Sequence, residues 1–319
     1  MFQINSSTFF TTSFINIKHN NQLMLTSVLV NCSKSGYKGL PVDRTRNLLT
    51  FSPLSESKEG EQFSKLDLTS VSSIAPLLSI KTSLQKFSNS NDPNPVMVYA
   101  AAQISQTAAQ LFISQSLTLA SPHSKYSLYS AAATYFEAAQ GYQKLSTDSN
   151  LSLELSSLEG ISKLHTDSQI VENKSAFCYI SCGTILEALT KKGGLMHGMM
   201  LYPPRINQHL IIGLSYEYVA KLFDSKTTLI PEEALTMTIC AKKAFEWLNS
   251  QNELNYYTAI NQGNIYSLEN WISKDELPIQ KRYLKSRLIT LKEIIEKGTS
   301  ILLSNTSDQF IKENIHLIY

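Results

Sequence analysis

The chain has 319 residues, with 28 Lys+Arg against 26 Asp+Glu and a formal net charge of +2. That length can bury one large core or two ordinary ones. The near-neutral balance argues against a dedicated nucleic-acid binder. Four cysteines in so long a chain make no disulfide framework, and no apolar run approaches the ~18 residues of a membrane span.

Residues 1–95 differ from the rest. They are rich in Ser, Thr and Asn, as in Asn5-Ser6-Ser7-Thr8 and Ser88-Asn89-Ser90-Asn91, and their apolar residues follow no helical period. Such composition predicts a mostly disordered arm, because little apolar burial offsets the ordering entropy. The arm is expected to end at the turn signal Asp92-Pro93-Asn94-Pro95. Its first acidic residue is Asp43 and its first Arg is Arg44, a weak match to an import presequence. The apolar stretch from Leu23 to Val30 is short and poorly flanked for a signal peptide.

From Val96 onward Ala, Leu, Gln and Glu rise, and prolines fall between periodic segments. Eight helices are predicted. The first covers about 96–119, with Ala101, Ile104, Ala108 and Leu111 on one face. The second covers about 124–145, with Leu128, Ala131, Tyr135, Ala139 and Tyr142 at helical spacing. The third covers about 149–169, capped by Asp148 or Ser149 and striped by Leu151, Leu155, Leu158 and Ile161. The fourth covers about 175–189 and ends before Gly193-Gly194; the fifth covers about 206–223. The sixth starts at Pro231-Glu232-Glu233, with Pro in the first turn and acids at the positive end of the dipole, and runs to about 248. The seventh covers about 254–271. The eighth runs from about 275 to 297, before Gly298, and a short helix is expected from about 308. No alternation of period two suggests a strand.

Residues 96–170 and 231–298 share one plan, three antiparallel helices joined by short turns. The second stretch resembles a MIT domain, the three-helix module of ESCRT-related and autophagy proteins. Ala241-Lys242-Lys243-Ala244-Phe245-Glu246 resembles the end of that family's first helix. Gly263 and Tyr266 match a small residue and an aromatic in its second, and Arg287 with Leu291-Lys292 matches its third. Tyr283 lies one residue early relative to Arg287, and Tyr256 and Ile260 stand where Ala and Tyr are expected. The match covers about a fifth of the chain.

The first stretch matches more loosely. Ala131 to Ala139, followed by Leu151-Ser152-Leu153-Glu154-Leu155, is similar to the MIT region of a regulatory subunit of the autophagy-specific phosphatidylinositol 3-kinase complex. Two such modules resemble the tandem MIT region of autophagy-initiating kinases, although no kinase domain precedes them here. The competing reading is a tetratricopeptide-like array. Gly183/Leu186, Gly213/Tyr216 and Gly263/Tyr266 fit part of that repeat, but no full ~34-residue period survives.

The expected fold is therefore all-α, with antiparallel helix bundles after a disordered arm. Its parts are an arm (1–95), a first module (96–170), connecting helices and a Met/Gly/Pro loop (171–230), a second module (231–300) and a tail (301–319).

Little here suggests catalysis. No phosphate loop or His-Glu-x-x-His occurs, and Gly213-Leu214-Ser215-Tyr216-Glu217 fails the nucleophile elbow at its last position. Cys178 and Cys182, at i and i+4, read as small core residues rather than half a metal site, because no second Cys or His pair has zinc spacing. His165 and His197 read as solvated or capping residues. The loop from Gly193 to Pro204 is either a folded-back connection or a deformable, Met-rich contact.

The expectation is a non-enzymatic adaptor or scaffold, with no catalytic residue, metal or cofactor. It would be cytoplasmic, at most peripheral to endosomal or autophagic membranes. The MIT resemblance implies a groove beside the eighth or the third predicted helix that takes a short amphipathic partner peptide. The candidate binding residues are Lys281, Lys285, Arg287, Leu288, Leu291 and Lys292, with Arg282 adding to the positive charge. A basic groove would favour an acidic peptide, and the alternative for the same charges is a solvated helical face.

Overall fold

A stretch of 24 residues without one charged side chain, Pro95–Thr118, can be a stable helix only if other helices cover it. In the computed structural model this is helix α2, flanked by α1 (Ile74–Ser88) and α3 (His123–Thr147). The structure describes residues 62, 65–67, 70–88, 95–120, 123–147, 168–191, 208–249, 277–305 and 309–314. The other helices are α4 (Ser168–Lys191), α5 (Gln208–Asp224), α6 (Pro231–Asn249), α7 (Leu277–Ser304) and α8 (Gln309–Asn314). The protein is all helical among the described residues, which divide into one unit up to Ser181 and another from Cys182.

In the first unit, α2 and α3 form an antiparallel hairpin. Near the turn, the Ser127 hydroxyl donates to the carbonyl of Phe112 at 2.7 Å. At the far end, Tyr142 donates to Gln106 Oε1 at 3.0 Å. The seam is built from small residues. A Cβ added to Gly141 would stand 2.9 Å from that of Ala102, so the backbones approach as closely as glycine allows. The first half of α4 runs antiparallel to α3, with Tyr179 beside Phe136, Ser175 beside Ala139 and Lys174 beside Tyr142. Its Ser175 hydroxyl donates to the carbonyl of Ala139 at 3.0 Å, and Tyr179 donates to Gln143 Oε1 at 2.6 Å. Edge-to-face ring pairs, Tyr135 with Phe177 and Phe136 with Tyr179, fill the space between.

In the second unit, α5 and α6 form the hairpin and α7 returns antiparallel to α6. Glu233 sits three residues into α6 and accepts from the backbone N–H of Ile230 at 3.3 Å, one half of a capping box. Its other oxygen pairs with Lys226 at 2.8 Å, tying the connection to the helix start. Gly213 of α5 lies against Leu248 of α6. Lys292 of α7 stands 5.5 Å from the ring centre of Phe245 on α6.

Predicted and observed helices agree within a few residues for α2, α3, α5, α6 and α8. Three differences have physical causes. Residues 70–88, assigned by composition to the disordered arm, form a 3-10 turn (Val71–Ser73) and α1. Ile74, Leu77, Ile80 and Leu84 make one buried face on α2, a period masked by the surrounding Ser and Thr. The α7 helix continues past its expected end at 297, because Gly298 is a contact point rather than a stop: it lies against Met237 and Thr238 of α6. The α4 and α5 helices, expected to be connectors, carry core residues from end to end, including Ile180, Ile185, Ile212 and Phe223. The predicted helices at 149–169 and 254–271, the Met-rich loop and most of the arm lie outside the described residues.

A Cβ at position 298 would overlap the Thr238 hydroxyl, which is itself bonded to the carbonyl of Ala234 at 2.7 Å. Gly298→Ala is expected to destabilise the second unit by about 1–3 kcal/mol despite its better helix propensity. Adding Thr238→Ala should return part of that loss, and chemical denaturation of both variants measures it.

Candidate functional site

The structure separates the residues predicted for the partner groove. Leu291 is fully buried on α7. Arg287 is half-buried and donates to Glu217 of α5 at 3.2 Å. Glu217 also pairs with Lys221 at 2.6 Å, so Arg287 belongs to a three-membered charge cluster. Leu288 is half-buried, while Lys285 and Lys292 are exposed. The side chains of Lys281 and Arg282 lie outside the described set. The outward face of α7 thus presents Lys285, Ile289 and Lys292 at helical spacing, with Ile289 53 % exposed. Ile289 was missed because charge, not exposed apolar area, guided the sequence reading.

The densest polar chemistry is inside. In the second unit, Lys243 of α6 donates to Glu187 of α4 at 2.6 Å, with both side chains about nine-tenths buried. Tyr216 of α5 donates to the same carboxylate oxygen at 2.9 Å and lies 3.3 Å from the Thr184 hydroxyl. Gly183 makes room for that ring, since a Cβ there would stand 3.2 Å from it. Burial first, and the neighbouring Glu187 charge second, push the Tyr216 phenol well above its ordinary range. The Tyr216 hydroxyl therefore stays protonated and donates, which the carboxylate needs.

The first unit holds a second buried lysine. Lys174 of α4 donates to the Tyr99 hydroxyl of α2 and lies over the rings of Tyr99 and Tyr142, 4.6 and 5.4 Å from their centres. Gln103 also donates to Tyr99, at 3.1 Å. Burial lowers the Lys174 ammonium from about 10.5 to about 7, with the Cys178 sulfur opposing. No sequence signal marked this residue, because the predicted helix began after it, at position 175.

Among the described residues, Cys178, Cys182 and Cys240 are buried thiols outside any disulfide, and burial pushes Cys182 up to about 12 against a hydrogen bond from Ser215. A thiol so held is a poor nucleophile and a poor ligand. Among the described residues, no group of three His, Cys, Asp or Glu is placed to hold a metal, and no helix is long and apolar enough to cross a membrane. Glu232 and Glu233 stand in the first turn of α6, where the dipole favours them. What the arrangement does chemically is hold helices in register and present an outward α7 face. Compared with known proteins, the chain matches no family model, no curated protein and no solved structure.

Removing one member of a buried pair strands the other charge. Lys243→Met is expected to cost the second unit about 3–5 kcal/mol, measured by denaturation. Adding Glu187→Gln should return most of that loss. Equal costs for the single and double variants would show that the two groups are not coupled.

Proposed function

We propose that the chain is a non-enzymatic helical adaptor. In this reading its helical part is MIT-like and binds a short amphipathic segment of a partner protein, in autophagy initiation or ESCRT-linked membrane traffic. The protein works in the cytoplasm and is at most peripheral to endosomal or autophagic membranes. The sequence resemblance in residues 231–298 motivates the setting. The observation that carries the binding site is the outward face of α7, where two cations flank an exposed isoleucine while Leu291 and Arg287 are held within the unit. An amphipathic helix carrying acidic residues has the complementary chemistry, an apolar anchor for Ile289 and carboxylates for Lys285 and Lys292.

The second reading is a tetratricopeptide-like subunit of a larger complex. The small residues Gly183 and Gly213 favour it, because both stand where a neighbouring side chain crosses the helix, as helix-pair repeats require.

Affinity purification with mass spectrometry, using the full chain and a version lacking residues 1–61, tests the setting; cutting at 95 would remove α1 from the core. Recovery of autophagy-kinase or ESCRT components by both supports the first reading. A different stable complex supports the second. For a recovered partner peptide, the double reversal Lys285→Glu/Lys292→Glu is expected to weaken binding by about tenfold, chiefly through association at low salt. Unchanged affinity removes the α7 face from the proposal. Arg287→Glu is a poor probe, since it would set a carboxylate against Glu217 and disturb folding as well as docking.

A further inference from the structure

Lys174 is 3 % exposed and stands on the first half of α4, where its charge meets little water. Its surroundings hold no compensating carboxylate among the described residues. From α2 the facing titratable group is Tyr99, and α2 carries no charged side chain at all. From α3 it is Tyr142, over whose ring the ammonium lies, while Glu137 of the same helix is held by Lys81 of α1. From α4 itself it is Cys178, one turn on, with Glu172, half-exposed, two residues before. A phenol oxygen and two aromatic faces stabilise a cation, but less than a carboxylate does in the same low dielectric. Ser175, Tyr179 and Phe177 of this half-helix also meet α3, through hydroxyl, amide and ring contacts.

We propose that Lys174 makes the docking of the first half of α4 onto α2 and α3 pH-dependent: the half-helix is held tightly while the amine is neutral and opens more readily once it is protonated. The sign follows from linkage. The buried amine has a lower pKa than a solvated one, so the opened state binds the proton more readily. Docking therefore weakens as pH falls from the solvated value to the buried value, and stops weakening below it. Between about pH 10 and about pH 7 the opening equilibrium rises by up to tenfold per pH unit. This device acts inside the first unit and needs no partner.

Hydrogen exchange of the full chain tests it, followed on peptides covering residues 171–181 and corrected for the intrinsic pH dependence of exchange. In the wild type, opening of this segment is expected to increase nearly tenfold from pH 9 to pH 8 and to level off below about pH 7. Peptides from α6 serve as the comparison and should show a shallower slope. Lys174→Met should abolish the slope and leave the segment protected throughout. Lys174→Arg keeps the charge at every pH, so it should abolish the slope with the segment open throughout. A wild-type slope retained in either variant overturns the proposal. Should both variants fail to fold, the carbon-13 titration of the Lys174 side chain in the wild type decides. A midpoint near that of a solvated lysine, about 10.4, overturns the proposal, and one two or more units lower supports it.

Discussion

Close helix approach is the constraint on which the rest of this structure depends. At Gly141 against Ala102, Gly183 against Tyr216, Gly213 against Leu248 and Gly298 against Thr238, a missing or minimal side chain lets a neighbouring helix or a large ring come in. Where backbones lie this close, interdigitated side chains have little freedom to rearrange, and packing becomes specific. The large residues that fill the remaining space are tyrosines: Tyr99, Tyr135, Tyr142 and Tyr216 are completely buried. A buried tyrosine brings a ring that packs and a hydroxyl that seeks a partner, which Tyr99, Tyr142 and Tyr216 find and the Tyr135 hydroxyl, among the described residues, does not. The close approach thus leads directly to the polar chemistry of the core.

That chemistry takes two forms. In the second unit the demand of Tyr216 is met by Glu187, and the carboxylate in turn is neutralised by Lys243, so three helices are joined through one oxygen. In the first unit Tyr99 meets a lysine without a carboxylate. The first arrangement is satisfied at neutral pH and specifies which helices pair. The second carries a residual desolvation cost, and a protonation equilibrium is the natural way to relieve it. The difference lies in one residue of each cluster, the presence or absence of an acid.

The surface of α7 follows from the same packing. Its inward positions, Leu291, Ile294, Gly298 and Leu302, are taken by the core, and Arg287 and Lys297 are drawn sideways to Glu217 and Asp224 of α5. What remains outward is a narrow stripe whose cations are unequal in role. Arg287 belongs to the interior electrostatics, whereas Lys285 and Lys292 face solvent. A charge run on a helix therefore divides into structural and available members, and only the available ones bear on a partner.

Much of this was legible in the amino-acid sequence by itself. The all-helical class, the extents of α2, α3, α5 and α6, and the start of α6 at Pro231-Glu232-Glu233 follow from period, proline placement and the helix dipole, all of which are local. The α1 helix was hidden because a buried face of only four apolar residues is diluted by Ser and Thr, so composition outweighed period. The end of α7 was misplaced because a glycine reads as a stop in sequence, and its use as a contact point depends on which helix lies opposite. Lys174, Lys243 and Arg287 look alike along the chain. Their fates as a caged amine, a buried ion pair and a half-exposed cluster member were decided by tertiary structure, because burial and partner charge come from residues tens of positions away.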